Sequence, residues 1–208
     1  MRIFVVRSLD EPYNILRFSP FKNIEEAVTA RFALQVLPDT AWQQRSRPLF
    51  VPDYAPAGLL LTLAYVVRIS RLGRSVSADY AARYYDAATL CAAASAPELA
   101  ATLLQRQLPT DAAYGFDAAV NGGTWEAVPA DSLPLCLKLS GAVQTECLAA
   151  TPARAQVDTA LAFVSQYVKL CQGDVLLLPI VPLDVRATEG THVEGFFGAK
   201  PILSYNIK

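Results

Sequence analysis

Apolar residues along this chain gather in short runs broken by proline, glycine and charged positions, a pattern that predicts strands more often than helices. Residues 2–6 form a β-branched and aromatic opening strand. Residues 59–70 give the strongest strand signal, and an unbroken apolar run predicts burial on both faces. Gly73 ends it in a turn. Further strands are expected over 135–139, over 175–185 with interruptions at Pro179 and Pro182, and over 202–207. A short extended piece bounded by prolines covers 48–53. Residues 10–23 read as a loop. The stretch 24–37 is ambiguous: Glu25 and Glu26 followed by alanines favour a helix, while Phe32-Ala-Leu-Gln-Val36 suits a strand.

Helical spacing is confined to three places. Ser77 is placed to cap a helix with Asp79 in its first turn, and propensity alone carries that helix through the alanines to Ser95. Pro97 reads as a breaker, with a second helix over 98–108 presenting Leu99, Leu103 and Leu104 on one face. Residues 152–170 place Val157, Leu161, Val164 and Val168 together, and Gln172-Gly173-Asp174 is expected to end that helix. Asn121-Gly122-Gly123 is a turn signal.

Composition narrows the setting. The 208 residues suit one domain with a sizeable core, and the net charge of -1 offers nothing to nucleic acid or an anionic membrane. Hydrophobic residues make up 53% and charged ones 18%, against roughly 25% charged in ordinary soluble domains. A subunit interface, in a homodimer, is the expected way to cover the excess. The opening apolar stretch is too short for a signal-peptide core, and residues 58–67 are too short to span a membrane, so the cytoplasm is expected. Cys91, Cys136, Cys147 and Cys171 lack the close spacing of a zinc site and read as free thiols.

Catalytic signatures are sparse. There is no Gly-x-Ser-x-Gly, no glycine-rich phosphate loop and no His-Glu-x-x-His. The single histidine, His192, falls in a polar stretch read as a solvated loop. Glu189, His192 and Glu194 could share a metal there, but a charged loop is the better reading. Arg68, Arg71 and Arg74 could hold an anion, but solvation or pairing with acids such as Asp79 is preferred.

Val66-Val-Arg-Ile-Ser-Arg-Leu-Gly73, followed by Ala81-Ala-Arg-Tyr-Tyr-Asp-Ala-Ala-Thr89, resembles the fumarylacetoacetate hydrolase family. Tyr114-Gly-Phe-Asp117 resembles that family's Lys-Gly-Phe-Asp, and the stretch from Leu170 to Leu177 resembles its Gly-Asp-hydrophobic segment. The resemblance runs from about Arg47 to the C-terminus, while residues 1–46 share only the opening strand. It implies a single α+β, mainly β domain, a mixed β-roll sandwich with a few short helices. It also implies that residues around Ala87 to Ser95 form a strand in spite of their alanines.

Members of the family bind Mg²⁺ or Mn²⁺ through a Glu-x-Glu and a later aspartate, and act on keto or diketo acids. The matching positions here are Thr62, Ala64 and Ala93, none of which suits a hard cation. Tyr114 stands for the family's lysine, Pro97 for an arginine, Arg7-Ser8-Leu9-Asp10 for a pocket-lining Gly-x-Asn-Tyr, and Pro179-Ile180-Val181-Pro182 for a Thr-Gly-Thr-Pro turn. The nearest acids, Asp86, Glu98 and Asp117, miss the ligand positions. The expectation is a chain without a metal cofactor: an inactive paralogue serving as a structural or regulatory subunit, as a homodimer or with an active paralogue, or a binder of a small molecule. Tyr65, Tyr114 and Trp125 would line the altered pocket. The alternative is a hydrolase or decarboxylase of keto acids with an atypical site.

Overall fold

The computed structural model describes residues 1–8, 32–44, 47–141 and 144–208. Eleven strands and three α-helices follow one another in the described residues: β1 (Ile3–Ser8), β2 (Phe32–Leu37), β3 (Trp42–Gln43), β4 (Leu59–Ile69), α1 (Ala78–Ala81), β5 (Tyr85–Ser95), α2 (Pro97–Gln105), β6 (Val120–Gly122), β7 (Pro134–Ser140), β8 (Thr145–Ala150), α3 (Arg154–Tyr167), β9 (Val175–Ala187), β10 (His192–Phe197) and β11 (Lys200–Asn206). This is the expected α+β, mainly β architecture. The expected loop over 10–23 and the ambiguous residues 24–31 lie outside the described residues, as do Leu9 and Asp10; 32–37 is a strand.

Seven strands form one mixed sheet in the order β2-β1-β9-β4-β5-β6-β3, and four form a second in the order β11-β10-β7-β8. β4 is central because its run of Leu, Ala, Tyr and Val is apolar on both faces, so it can be covered from both sides. Its even and odd positions accordingly feed two separate clusters. Leu61, Leu63, Tyr65 and Val67 join the main core with Leu135, Leu137 and Phe197 of the second sheet and Val157 and Leu161 of α3. Ala64 and Val66 point the other way, into a smaller cluster with Ile3, Val5, Cys91, Val175 and Leu177.

Local expectations meet tertiary context in several places. β5 contains the alanine-rich segment that propensity assigns to a helix, and pairing with β4 along ten positions overrides that preference. β5 ends at Ser95, just before Pro97, and Pro97 itself starts α2, occupying the first turn where its missing N–H is not needed. Asn121-Gly122-Gly123 is not a hairpin turn. Gly122 belongs to β6, and a Cβ on it would run into the Trp42 ring. α3 stops at Tyr167, before Gln172-Gly173-Asp174, where Gly173 (φ +87°) makes a separate turn into β9. His192 lies in strand β10 rather than a loop, its Nδ1 2.8 Å from Asn206 Oδ1.

Candidate functional site

Register brings the three candidate ligand positions together. Thr62 on β4 pairs directly with Ala93 on β5, and Ala64 pairs with Cys91. On the other side of β4, Thr62 pairs with Pro182 and Ala64 with Pro179 of β9. Positions two apart on a strand share a face, so Thr62, Ala64 and Ala93 form one patch, on the face of the smaller cluster. The β4–β9 register shifts between Leu60 and Thr62 and between Leu63 and Ala64. Prolines cannot donate to a ladder, so Pro179 and Pro182 sit where the pairing is already irregular.

The patch grades from sealed to open. Ala64 and Cys91 are fully buried, while Thr62, Ala93, Pro179 and Pro182 are half-buried. Against the smaller cluster, which contains Ala64 and Cys91, pack Trp42, Tyr114 and Trp125, with the two indoles stacked at 5.7 Å and 16°. Tyr114 and Trp125 thus share a cluster with Ala64 and Cys91. Tyr65 does not. As a neighbour of Ala64 it points to the opposite face, 2% exposed, stacked on Phe197 at 6.2 Å in the main core. The single-residue alternation of a strand excludes it from any pocket on the patch.

A divalent cation does not fit these residues. Mg²⁺ and Mn²⁺ take several hard oxygen donors, and the three positions offer one hydroxyl and two methyl groups. The adjoining Cys91 is a soft donor whose thiol is pushed up by complete burial, away from the thiolate that metal binding needs. The nearby acids are turned elsewhere. Asp86 holds Arg68 with two hydrogen bonds of 2.9 and 3.0 Å, Glu98 pairs with Arg186, and Asp117 is exposed at the edge of a different cavity. Among the described residues no cluster of three or more His, Cys, Asp or Glu side chains is placed to hold a metal.

Besides Arg68, which lies against Trp125 and pairs with Asp86, this face carries Arg7, which sequence reasoning places only as part of a replaced loop. Val5 pairs with Leu177 of β9, and Arg7, two residues further along β1, shares its face. The guanidinium lies 5.4 Å from the centre of the Tyr114 ring. Its Nη1 donates to Gln35 Oε1 at a long 3.4 Å, and its Nε is sealed from solvent with no hydrogen-bond partner among the described residues. Burial pushes the Arg7 pKa down from its ordinary value. The signal that could have found it is a lone arginine ending an otherwise apolar strand, Ile-Phe-Val-Val-Arg.

The other candidates do not form sites. Arg68 pairs with Asp86 rather than Asp79, while Arg71 and Arg74 are exposed on the turn that follows β4. His192 Nε2 lies 3.7 Å from Glu194, and Glu189 is exposed with no ion pair to either among the described contacts. A separate open cavity of about 620 Å³ is lined by Gln43, Arg47, Phe50, Tyr54, Phe116 and Asp117.

Burial of Cys91 has a direct consequence. In the native protein Cys91 is expected to stay unmodified by a disulfide reagent at pH 8, with adducts mapped by mass spectrometry, and to react only once the chain is unfolded. Rapid native labelling of Cys91 would mean that the patch opens.

No protein-family model matches this chain, and no curated protein matches it. Solved structures do. One is a protein from Yersinia pestis CO92 ascribed to the fumarylacetoacetate hydrolase family, with a TM-score of 0.74 and 17% identity, covering 100% of this chain and 92% of that one. A fumarylpyruvate hydrolase from Pseudomonas aeruginosa, in complex with Mn²⁺ and pyruvate, has a TM-score of 0.71 at 12% identity, covering 100% and 90%. A 2-hydroxyhepta-2,4-diene-1,7-dioate isomerase from Mycobacterium marinum has a TM-score of 0.71 at 17% identity, covering 99% and 73%. The fold of this chain is the fumarylacetoacetate hydrolase fold.

Proposed function

We propose that this chain is a catalytically inactive relative of the enzymes that share its fold, serving as a structural or regulatory subunit or binding a small molecule without a divalent ion. One observation carries the reading. The three positions that sequence resemblance equates with metal ligands fall side by side on one sheet face, and they carry a hydroxyl and two methyl groups in place of three carboxylates. Their adjacency supports the equivalence, and their chemistry removes the donors. The fumarylpyruvate hydrolase of the same fold holds Mn²⁺ and pyruvate; the three positions here offer no carboxylate to hold an ion that would supply such Lewis-acid polarisation.

A partner is part of this reading, either a second copy or an active paralogue. Large apolar side chains on the surface, Phe50 at 65% and Leu148 at 67% exposed, are what such an interface would cover. The cytoplasm is the proposed location, one that suits four thiols without a disulfide; no helix among the described residues is long and apolar enough to cross a membrane. A second reading, a hydrolase or decarboxylase of keto acids with an atypical site, draws support from the enzymes of the same fold and from the cation Arg7 on the same face.

The test is a titration of the purified chain with Mn²⁺ and Mg²⁺, followed by thermal melting with each ion. No saturable uptake and no shift in melting temperature are expected. An ion present at a hundred times its Kd would add about 2.7 kcal/mol of stability, which is about 5–10 °C for a chain of this size. A shift of that order would overturn the reading.

A further inference from the structure

We infer that the cavity between residues 47–54 and 116–118 is a binding site for a small zwitterion, one that carries a methylated ammonium at one end and a carboxylate at the other. The cavity shares no lining residue with the patch of Thr62, Ala64 and Ala93, so its test does not depend on whether that patch holds a metal.

Size and rigidity come first. The cavity holds about 620 Å³, inside the roughly 300–1,000 Å³ of small-molecule sites. Its walls are fixed before anything binds. Leu49 N–H donates to the Asn206 carbonyl at 3.0 Å and Val51 N–H to the Lys208 carbonyl at 2.7 Å, which pins the backbone on either side of Phe50. Gln43 Nε2 donates to the Arg47 carbonyl at 2.9 Å and to Asn121 Oδ1 at 3.0 Å. The buried Asn121 in turn donates from Nδ2 to the Ala118 carbonyl at 2.8 Å, so one pair of amides ties the two walls together. Ala118 borders the cavity with φ at 60°, a left-handed conformation that disfavours a Cβ. Such a backbone persists where its surroundings hold it, as they do at ligand clamps.

The aromatic lining selects the cationic end. Phe50, Tyr54 and Phe116 all border the cavity, and the Tyr54 and Phe116 rings meet at 6.4 Å and 80°, forming two walls of a corner. Phe50 and Tyr54 are exposed, so neither ring is used up in the core. A methylated ammonium is drawn to ring faces by their quadrupole, which is how aromatic cages hold such groups. Asp117 adds a carboxylate within electrostatic reach of the same corner: partial burial and the Asp117 charge together push the Tyr54 phenol up from its ordinary value.

The second charge selects the other end. Arg47 lines the same cavity as Asp117, yet the two form no ion pair with each other or with any other described residue. Opposite charges kept apart on one cavity leave room for a molecule that carries both. The guanidinium matches a carboxylate in two parallel hydrogen bonds, while Asp117 and the rings take the ammonium. A plain cation would face Arg47 and a plain anion would face Asp117, so each suits the lining less well than the zwitterion.

Phe50 is also among the side chains a partner would cover, so the measurement uses the full chain in the assembly it forms in solution. Carnitine, choline and neohexanol, the neutral carbon isostere of choline, are each titrated at constant ionic strength, with saturation transfer followed on their methyl resonances. Saturable binding of carnitine is expected with a Kd on the order of millimolar. Choline lacks the carboxylate and should bind about fivefold more weakly, and neohexanol should not bind saturably. Arg47→Met should reduce carnitine to the affinity of choline. Phe50→Leu should weaken both by about two- to fivefold, the size of an exposed cation–π contact, and Asp117→Asn should weaken choline as much as carnitine. All three side chains are exposed, so the variants are expected to melt near the wild-type temperature. No saturable binding of carnitine, neohexanol binding as well as choline, or full carnitine affinity in Arg47→Met would each overturn the inference.

Discussion

Tyr65→Ala is expected to destabilise the protein by about 3–5 kcal/mol, the range for removing a buried aromatic side chain. Tyr65 is 2% exposed at the middle of β4, with its ring stacked on Phe197 of the second sheet. It bridges the two sheets where they meet, so its loss leaves a cavity that the flanking strands cannot close without parting. Domains of this kind are stable by about 5–15 kcal/mol in total, so the variant would sit close to unfolding at ordinary temperature. Urea denaturation gives the number. Tyr114→Ala is the control, since Tyr114 is half-buried over the opposite face and gives up less apolar contact. A loss under about 1 kcal/mol for Tyr65→Ala would show that its ring does not hold the two sheets together.

The contrast between neighbours on β4 shows what the sequence makes legible. Leu59–Ile69 announces a strand by its apolar run, and the run also announces that both faces are covered. It does not announce which face meets which neighbour, because an apolar residue on either side looks the same. Tyr65 is therefore misplaced by sequence for want of a single alternation, whereas Thr62 and Ala64, two residues apart, stay together on one face. β5 shows the opposite difficulty. Its alanines carry a helical preference, and nothing local reveals that Leu90 and Ala92 fit against the core from a strand. Asn121-Gly122-Gly123 gives a turn signal for a different reason: glycine is needed at Gly122 for room beside Trp42, and sequence does not distinguish room from backbone freedom. Arg7 escapes a sequence reading because its burial depends on Tyr114, Gln35 and the strand pairing of β1 with β9, all distant in the chain.

Rebuilding the ligand set is the most severe test of what this face has become. In Thr62→Glu/Ala64→Glu/Ala93→Asp the register places the new carboxylates at positions 62 and 93 directly across from each other, with the one at position 64 two residues along the same face. Three carboxylates so close repel one another, and the one at position 64 would enter a fully buried spot among Val66, Cys91 and Leu177. Burial of an unpaired charge is costly enough that the group takes up a proton or the structure opens. The metal-free triple variant is thus expected to lose several kcal/mol, and more at pH 8 than at pH 5. At low pH the carboxyl groups are neutral and repel less, and as pH rises the unfolded chain ionises freely while the folded one does not. Mn²⁺ should reverse this by supplying the charge the three groups lack, raising the melting temperature in proportion to log concentration once saturated. Single variants separate the contributions. Ala64→Glu alone should be the most damaging, while Thr62→Glu and Ala93→Asp, at half-buried positions, should each cost less. A folded triple variant that takes up no Mn²⁺ by calorimetry would show that adjacency on the sheet is not enough, and that this face has been repacked beyond recovery of a metal site.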